Sequence, residues 1–172
     1  MAAGAEVQAI SGVSAGREAT IETVYPSIAK SGLGRMIGRL CDSIDARVNG
    51  VKVSALLFGL PLAPLGLLVY AKFKAFDPKY VVTNRNVQIR AAIGDRMLGQ
   101  VELGKIENIA ITVLPGQEFF HAGDLDLISD REEILLSLPG VPRPERFRQV
   151  ILDARDARIR SDQTLGVMEA RG

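Results

Sequence analysis

With 21 lysines and arginines against 20 acidic residues in 172, the chain lacks the charge excess of a nucleic-acid binder. Its single cysteine, Cys41, excludes an internal disulfide, and a single histidine beside it leaves no ligand set for zinc. The length suits one domain, but an apolar stretch divides it into an N-terminal part marginal for a core of its own and a larger C-terminal part.

Residues 1–24 are rich in Ala, Gly, Ser and Val and lack the basic start and sustained apolar core of a signal peptide, so they read as a flexible tail. Tyr25-Pro26-Ser27 opens a helical pattern, with Pro26 suited to a first turn. Ile28, Leu33, Met36, Ile37, Leu40 and Ile44 follow at mostly helical spacing among Lys30, Arg35 and Arg39. The segment 25–52 therefore reads as an amphipathic basic helix beside a membrane. Gly32, Gly34 and Gly38 weaken it as a free helix and suit close packing on another one. Asn49-Gly50 predicts a turn near its end.

Residues 53–71 carry no charge and are bounded by Lys52 on one side and by Lys72 and Lys74 on the other. As a helix they would cover about 28 Å, close to the hydrocarbon thickness of a bilayer. Pro61 and Pro64 interrupt the run, each removing a backbone donor. The leading expectation is one kinked span. A shallow hairpin with arms 53–58 and 67–71 and a helix buried in a protein core are the alternatives. Arg35, Arg39, Arg47 and Lys52 before the run nearly balance Lys72, Lys74, Lys79 and Arg85 after it, so charge gives only a weak vote on topology.

Beyond the run the period changes to two. Strands are predicted over 80–83 and 87–90 as a hairpin about Asn84-Arg85-Asn86, then over 97–103 and 106–114. A loop at 116–123 holds Phe119, Phe120 and His121, and a second hairpin joins 124–129 to 133–138, where Pro139-Gly140 stops the last strand. Pro144 and Glu145 open a helix whose stripe is Phe147, Val150, Ile151 and Ala154, with periodicity fading near Arg160 and a tail over 162–172. The plan is mainly β, a bent antiparallel barrel capped by a C-terminal helix and preceded by a basic helix and one membrane segment.

An apolar segment followed by Tyr80-Val81-Val82-Thr83-Asn84-Arg85, with Tyr25-Pro26-Ser27 upstream, resembles the bacterial membrane-anchored pleckstrin-homology-like proteins. The resemblance implies a PH-like domain, taken here as 75–161, on a cytoplasmic face of the plasma membrane and without enzymatic activity or cofactor. The partners implied are the lipid bilayer and other membrane proteins or a second copy, for a role in recruitment or assembly. A sensor of anionic headgroups is the alternative, with Lys72, Lys74, Lys79 and Arg85 as contacts. Their spacing departs from the tight basic-x-basic pattern of phosphoinositide-binding PH domains. Phe119, Phe120, Arg143 and Arg146 are the candidate partner contacts, Arg148 extending the last two into a small basic cluster. Glu118, His121 and Asp124 could be drawn as metal ligands, and Asp124, Asp126 and Asp130 as a calcium loop, but the latter lacks the glycine and terminal glutamate of an EF-hand. Carboxylates alternating on a strand read more simply as a wet face. No nucleophile elbow and no phosphate loop is present in the sequence.

Overall fold

The computed structural model describes residues 18–44, 47–48 and 51–169. The expected tail at 1–17, the Asn49-Gly50 turn and the last three residues fall outside that range. Two antiparallel sheets face each other across one core. The first has the strand order β1 (Thr20–Val24), β4 (Lys79–Thr83), β5 (Asn86–Arg90), β6 (Met97–Glu102). The second is β7 (Asn108–Thr112), β8 (Ala122–Ile128), β9 (Ile134–Pro142). A two-residue ribbon, β2 (Arg47–Val48) with β3 (Val51–Lys52), stands apart from both. Alternation puts Tyr80, Val82, Val87 and Val101 of one sheet against Ile109, Leu125, Leu127, Leu138 and Val141 of the other. The C-terminal helix, labelled by its range Pro144–Glu169 and called α3 below, closes the core with Phe147, Ile151 and Ala154. Two antiparallel sheets and a capping helix fit the PH-like plan. α3 runs on to Glu169, past the end near Arg160 that the fading apolar stripe suggested.

The last strand does not stop at Pro139-Gly140. It continues to Pro142 through an irregularity at which the pairing steps from Leu125↔Leu138 to Gly123↔Val141. Gly140 takes φ +68 there, and Asp124 Oδ1 accepts the Gly140 N–H at 2.7 Å and the Gln117 side-chain amide at 2.7 Å. A Cβ on Gly140 would lie 2.6 Å from Lys30 Cβ, so glycine is required both for the turn and for the approach. Tyr80 donates its hydroxyl to Pro139 O at 2.8 Å, and Ser27 N donates to Gly140 O at 2.7 Å. Pro-Gly, which reads as a terminator, here bends a strand to receive the Ser27 turn.

Thr20–Val24, expected within the flexible tail, is an edge strand of the first sheet. Its register on β4 is Glu22↔Val82, Thr23↔Val81 and Val24↔Tyr80. Glu18 Oε1 accepts from Gln88 Nε2 (2.6 Å) and Thr83 Oγ1 (2.9 Å), holding the strand's start to the β4–β5 hairpin. Everything between β1 and β4 is therefore an excursion from one end of one sheet.

The excursion begins with a 3-10 turn, Ile28–Lys30, and α1, Gly32–Asp42, both capped by serines. Ser27 Oγ accepts from Ala29 N and Ser31 Oγ from Gly34 N. The single long helix expected over 25–52 is thus one 11-residue helix between a turn and the β2–β3 ribbon. Its glycine face packs on a barrel loop: a Cβ on Gly38 would strike the Gly116 carbonyl, and one on Gly116 (φ +93) the Arg35 carbonyl. The close packing expected of these glycines is met at Gly38 by this loop and at Gly34 by the Ile28–Lys30 turn, not by another helix, and Gly32 packs on nothing. A π-helical turn, Ala55–Gly59, then leads into α2, Leu60–Phe76, which contains Pro64. Pro61 has no N–H for the carbonyl one turn back, and the widened turn ends just before it. No helix among the described residues is long and apolar enough to cross a membrane; α2 itself has 17 residues.

Candidate functional site

The surface that departs most from an ordinary globular exterior is the outer side of the excursion. Leu60 and Leu68 are each 69% exposed, and Leu57, Leu67, Tyr70 and Phe76 are exposed as well. By sequence position the apolar residues of α2 do not gather on one side of the helix. On α1 the buried side is Gly34, Ile37, Gly38 and Cys41, while Leu33, Met36 and Leu40 form an exposed apolar stripe at i, i+3 and i+7. Arg35 and Arg39 continue round the helix from that stripe, Arg39 Nε donating to Pro115 O at 3.1 Å. Lys72 is exposed on the last turns of α2.

Both ends of α2 are fastened. At its approach, Ser54 is fully buried and donates to Cys41 O at 2.5 Å and to Ile44 O at 3.2 Å. Burial there also pushes the Cys41 thiol up from its ordinary pKa. At its exit, Lys30 Nζ meets Asp77 Oδ2 at 3.0 Å, both side chains mostly buried. Tyr80 follows immediately, its phenol raised by burial first and then by Asp77 and Asp124.

The four cations named as headgroup contacts do not form one cluster. Lys79 is held by Asp95 at 2.8 Å, and Asp95 also takes Arg90 at 2.6 Å. Those two hydrogen bonds, Lys79 first, hold the Asp95 carboxyl below its usual range. Arg85 lies in the turn beyond the opposite end of β4, past about 13 Å of extended strand from Lys79 to Thr83. There it lines an open cleft of about 470 Å³ with Asn86, Glu102, Gly104 and Arg158. The side chain of Lys74 lies outside the described residues. Sequence spacing could not reveal this separation, because it depends on which way the strand runs from the helix.

Phe119 and Phe120 sit in a 3-10 turn, Glu118–Phe120, edge to face at 5.0 Å and half-buried. Phe120 packs towards α1, its ring 3.0 Å from where a Gly38 Cβ would stand. Arg143 (φ 50) donates its N–H to His121 O at 2.7 Å, and Arg146 reaches Glu22 of β1 at 3.4 Å. Arg143, Arg146, Glu22 and Phe147 line a cleft of about 300 Å³. Arg148 is separate from that pair, its Nε buried. Among the described residues no group of His, Cys, Asp or Glu comes together as a metal site, and Asp124 is instead the acceptor that shapes the Gly140 bend. Sequence reasoning missed that role and the part of Thr83, whose Oγ1 accepts from Asn86 N at 2.8 Å and closes the β4–β5 turn.

The family model described as Bacterial PH domain matches residues 32–155, from α1 into the first half of α3. The chain belongs to the bacterial PH domain family. The match takes in α1, α2 and every strand after them, while β1 and the Ile28–Lys30 turn precede it, so in this bacterial PH protein both helices of the excursion lie within the family's extent. No curated protein and no solved structure gave a significant match.

Proposed function

We propose that this bacterial PH protein is a non-enzymatic module that attaches to a bilayer through α2 and presents its PH-like domain to partners at the cytoplasmic face of the plasma membrane. The observation that carries the reading is the band of exposed leucines round α2, next to Lys72 and continued by the apolar stripe of α1. Leaving one such leucine in water rather than hydrocarbon forfeits about 1.5–3 kcal/mol, so several together give a strong drive to partition. Attachment raises the local concentration of the domain near other membrane proteins, where weak contacts suffice for recruitment. The Arg143–Arg146 cleft and the half-buried Phe119 are the surfaces offered to such partners.

Sensing of anionic headgroups is the second reading, supported by exposed Lys72 and by Arg35 and Arg39 on α1. Lys79, engaged by Asp95, and Arg85, at the far end of β4, contribute little to it. Flotation of the full chain with vesicles separates the two. The attachment reading expects co-flotation with neutral phosphatidylcholine vesicles and a modest gain with anionic lipid. Binding confined to anionic vesicles would establish the sensor, and a chain left at the bottom of the gradient with both would refute membrane attachment.

A further inference from the structure

We propose that α2 is an in-plane anchor: the chain enters one leaflet and returns to the side it came from, without crossing the bilayer. The proposal rests on the membrane reading above and decides its topology. β1 precedes the excursion and β4 follows it, and the two are paired with Val24 opposite Tyr80 and Glu22 opposite Val82. Paired strands lie about 4.8 Å apart, whereas the hydrocarbon of a bilayer is about 30 Å thick. Val24 and Tyr80 therefore occupy one side, and an odd number of crossings between them would require the ladder to be broken. The bonds from Glu18 to Gln88 and Thr83 extend that ladder to the hairpin tip.

Two crossings are closed off by the other helix. α1 has 11 residues, about 16 Å, with Arg35, Arg39 and Asp42 among them, and its glycine side lies on the barrel loop at Gly116. It cannot be a second span. α2 is about 25 Å long and is fastened to the same body at both ends, through Ser54 to Cys41 and through Asp77 to Lys30. With both flanks held to the body that the chain left, the segment between them returns to the side it came from. The occupant that fits is the acyl region of a single leaflet: Leu57, Leu60, Leu67 and Leu68 are exposed, Tyr70 and Lys72 follow at one end, and the α1 stripe of Leu33, Met36 and Leu40 adds to them.

The test uses the full chain, with Cys41→Ala removing the native thiol and one reporter cysteine placed on each side of the excursion, Thr20→Cys on β1 or Arg131→Cys on the β8–β9 turn. Sealed membrane vesicles of known orientation are treated with an impermeant maleimide. Both reporters are expected to label to the same extent, or both to be protected until detergent is added. Labelling of one with protection of the other means a crossing and overturns the proposal while leaving membrane attachment standing. Recovery of the chain in the supernatant, as monomer or as a dimer joined through α2, overturns both. A second variant, Thr23→Cys with Val81→Cys, is expected to oxidise across the ladder in the membrane fraction. A pair that oxidises only after detergent release, or a crosslinked chain that leaves the membrane, also overturns it.

Discussion

The barrel and its helical excursion use the same apolar residues in opposite ways. Leu125, Leu127 and Leu138 are fully buried between the sheets, whereas Leu60, Leu67 and Leu68 are each about two-thirds exposed. In the barrel, alternation with polar residues lets each strand offer one dry and one wet face, and a partner sheet covers the dry one. In α2 the apolar residues lie all round the helix, so no single neighbour could cover them. Folding covers the first region by itself and leaves the second exposed. The two regions are nonetheless one unit, because the excursion is held at its base by the β1–β4 ladder, the Lys30–Asp77 pair and the Ser27–Gly140 bond.

That contrast can be broken first at the barrel. Phe147→Ala removes the aromatic side chain of α3 from the closed core and should cost about 3–5 kcal/mol, read by urea denaturation. A loss under 1 kcal/mol would mean that α3 is not the lid of this core. Leu68→Asp acts on the other region. It should leave stability within about 0.5 kcal/mol, because the residue is exposed, yet lower vesicle affinity tenfold or more. A destabilised variant with unchanged vesicle binding would invert the contrast and show that Leu68 packs inside the protein.

Asp124→Ala probes the junction. It strips the acceptor from Gly140 N–H and from the Gln117 amide, for an expected loss of about 2 kcal/mol. Hydrogen exchange should speed up at the Ser27 amide, which donates to Gly140, while amides of β5 and β6 change only with global stability. The smallest effect is at Asp95. Its folded-state pKa is lowered by hydrogen bonds from Lys79 and Arg90, so its contribution is present above the unfolded-state value, about 3.9, and is lost as pH falls through the folded one. Asp95→Asn should therefore be slightly less stable than the parent at neutral pH, with the difference vanishing in acid. A difference that grows on acidification would contradict the pairing.

Most of the barrel was legible because period two survives wherever one face of a strand is wet. Residues 80–83 and 87–90, 97–103 and 106–114, and the second hairpin each contain a strand of the structure. Thr20–Val24 escaped because a short edge strand alternates weakly and its partner lies far along the chain. Pro139-Gly140 misled in the other direction: the dipeptide that ends strands also builds bends, and Asp124, which decides between them, sits on a different strand. Of the site, the apolar run and its flanking lysines were plain in the sequence. What could not be read there was that β1 and β4 are neighbours, which turns an apparent link between two halves into an excursion from one sheet. The separation of Lys79 from Arg85 was hidden for the same reason, since the whole of β4 lies between them.

The most direct measurement of the central claim is the surroundings of α2 in a membrane. A nitroxide at Leu67→Cys in the Cys41→Ala chain, bound to phosphatidylcholine vesicles, reports collisions with oxygen, which concentrates in hydrocarbon, and with a polar nickel complex, which stays in water. The exposed leucine band predicts that oxygen dominates and the nickel complex is excluded, at a depth within one leaflet. A nitroxide open to the nickel complex on vesicle-bound protein, or shielded equally from both reagents, would contradict it.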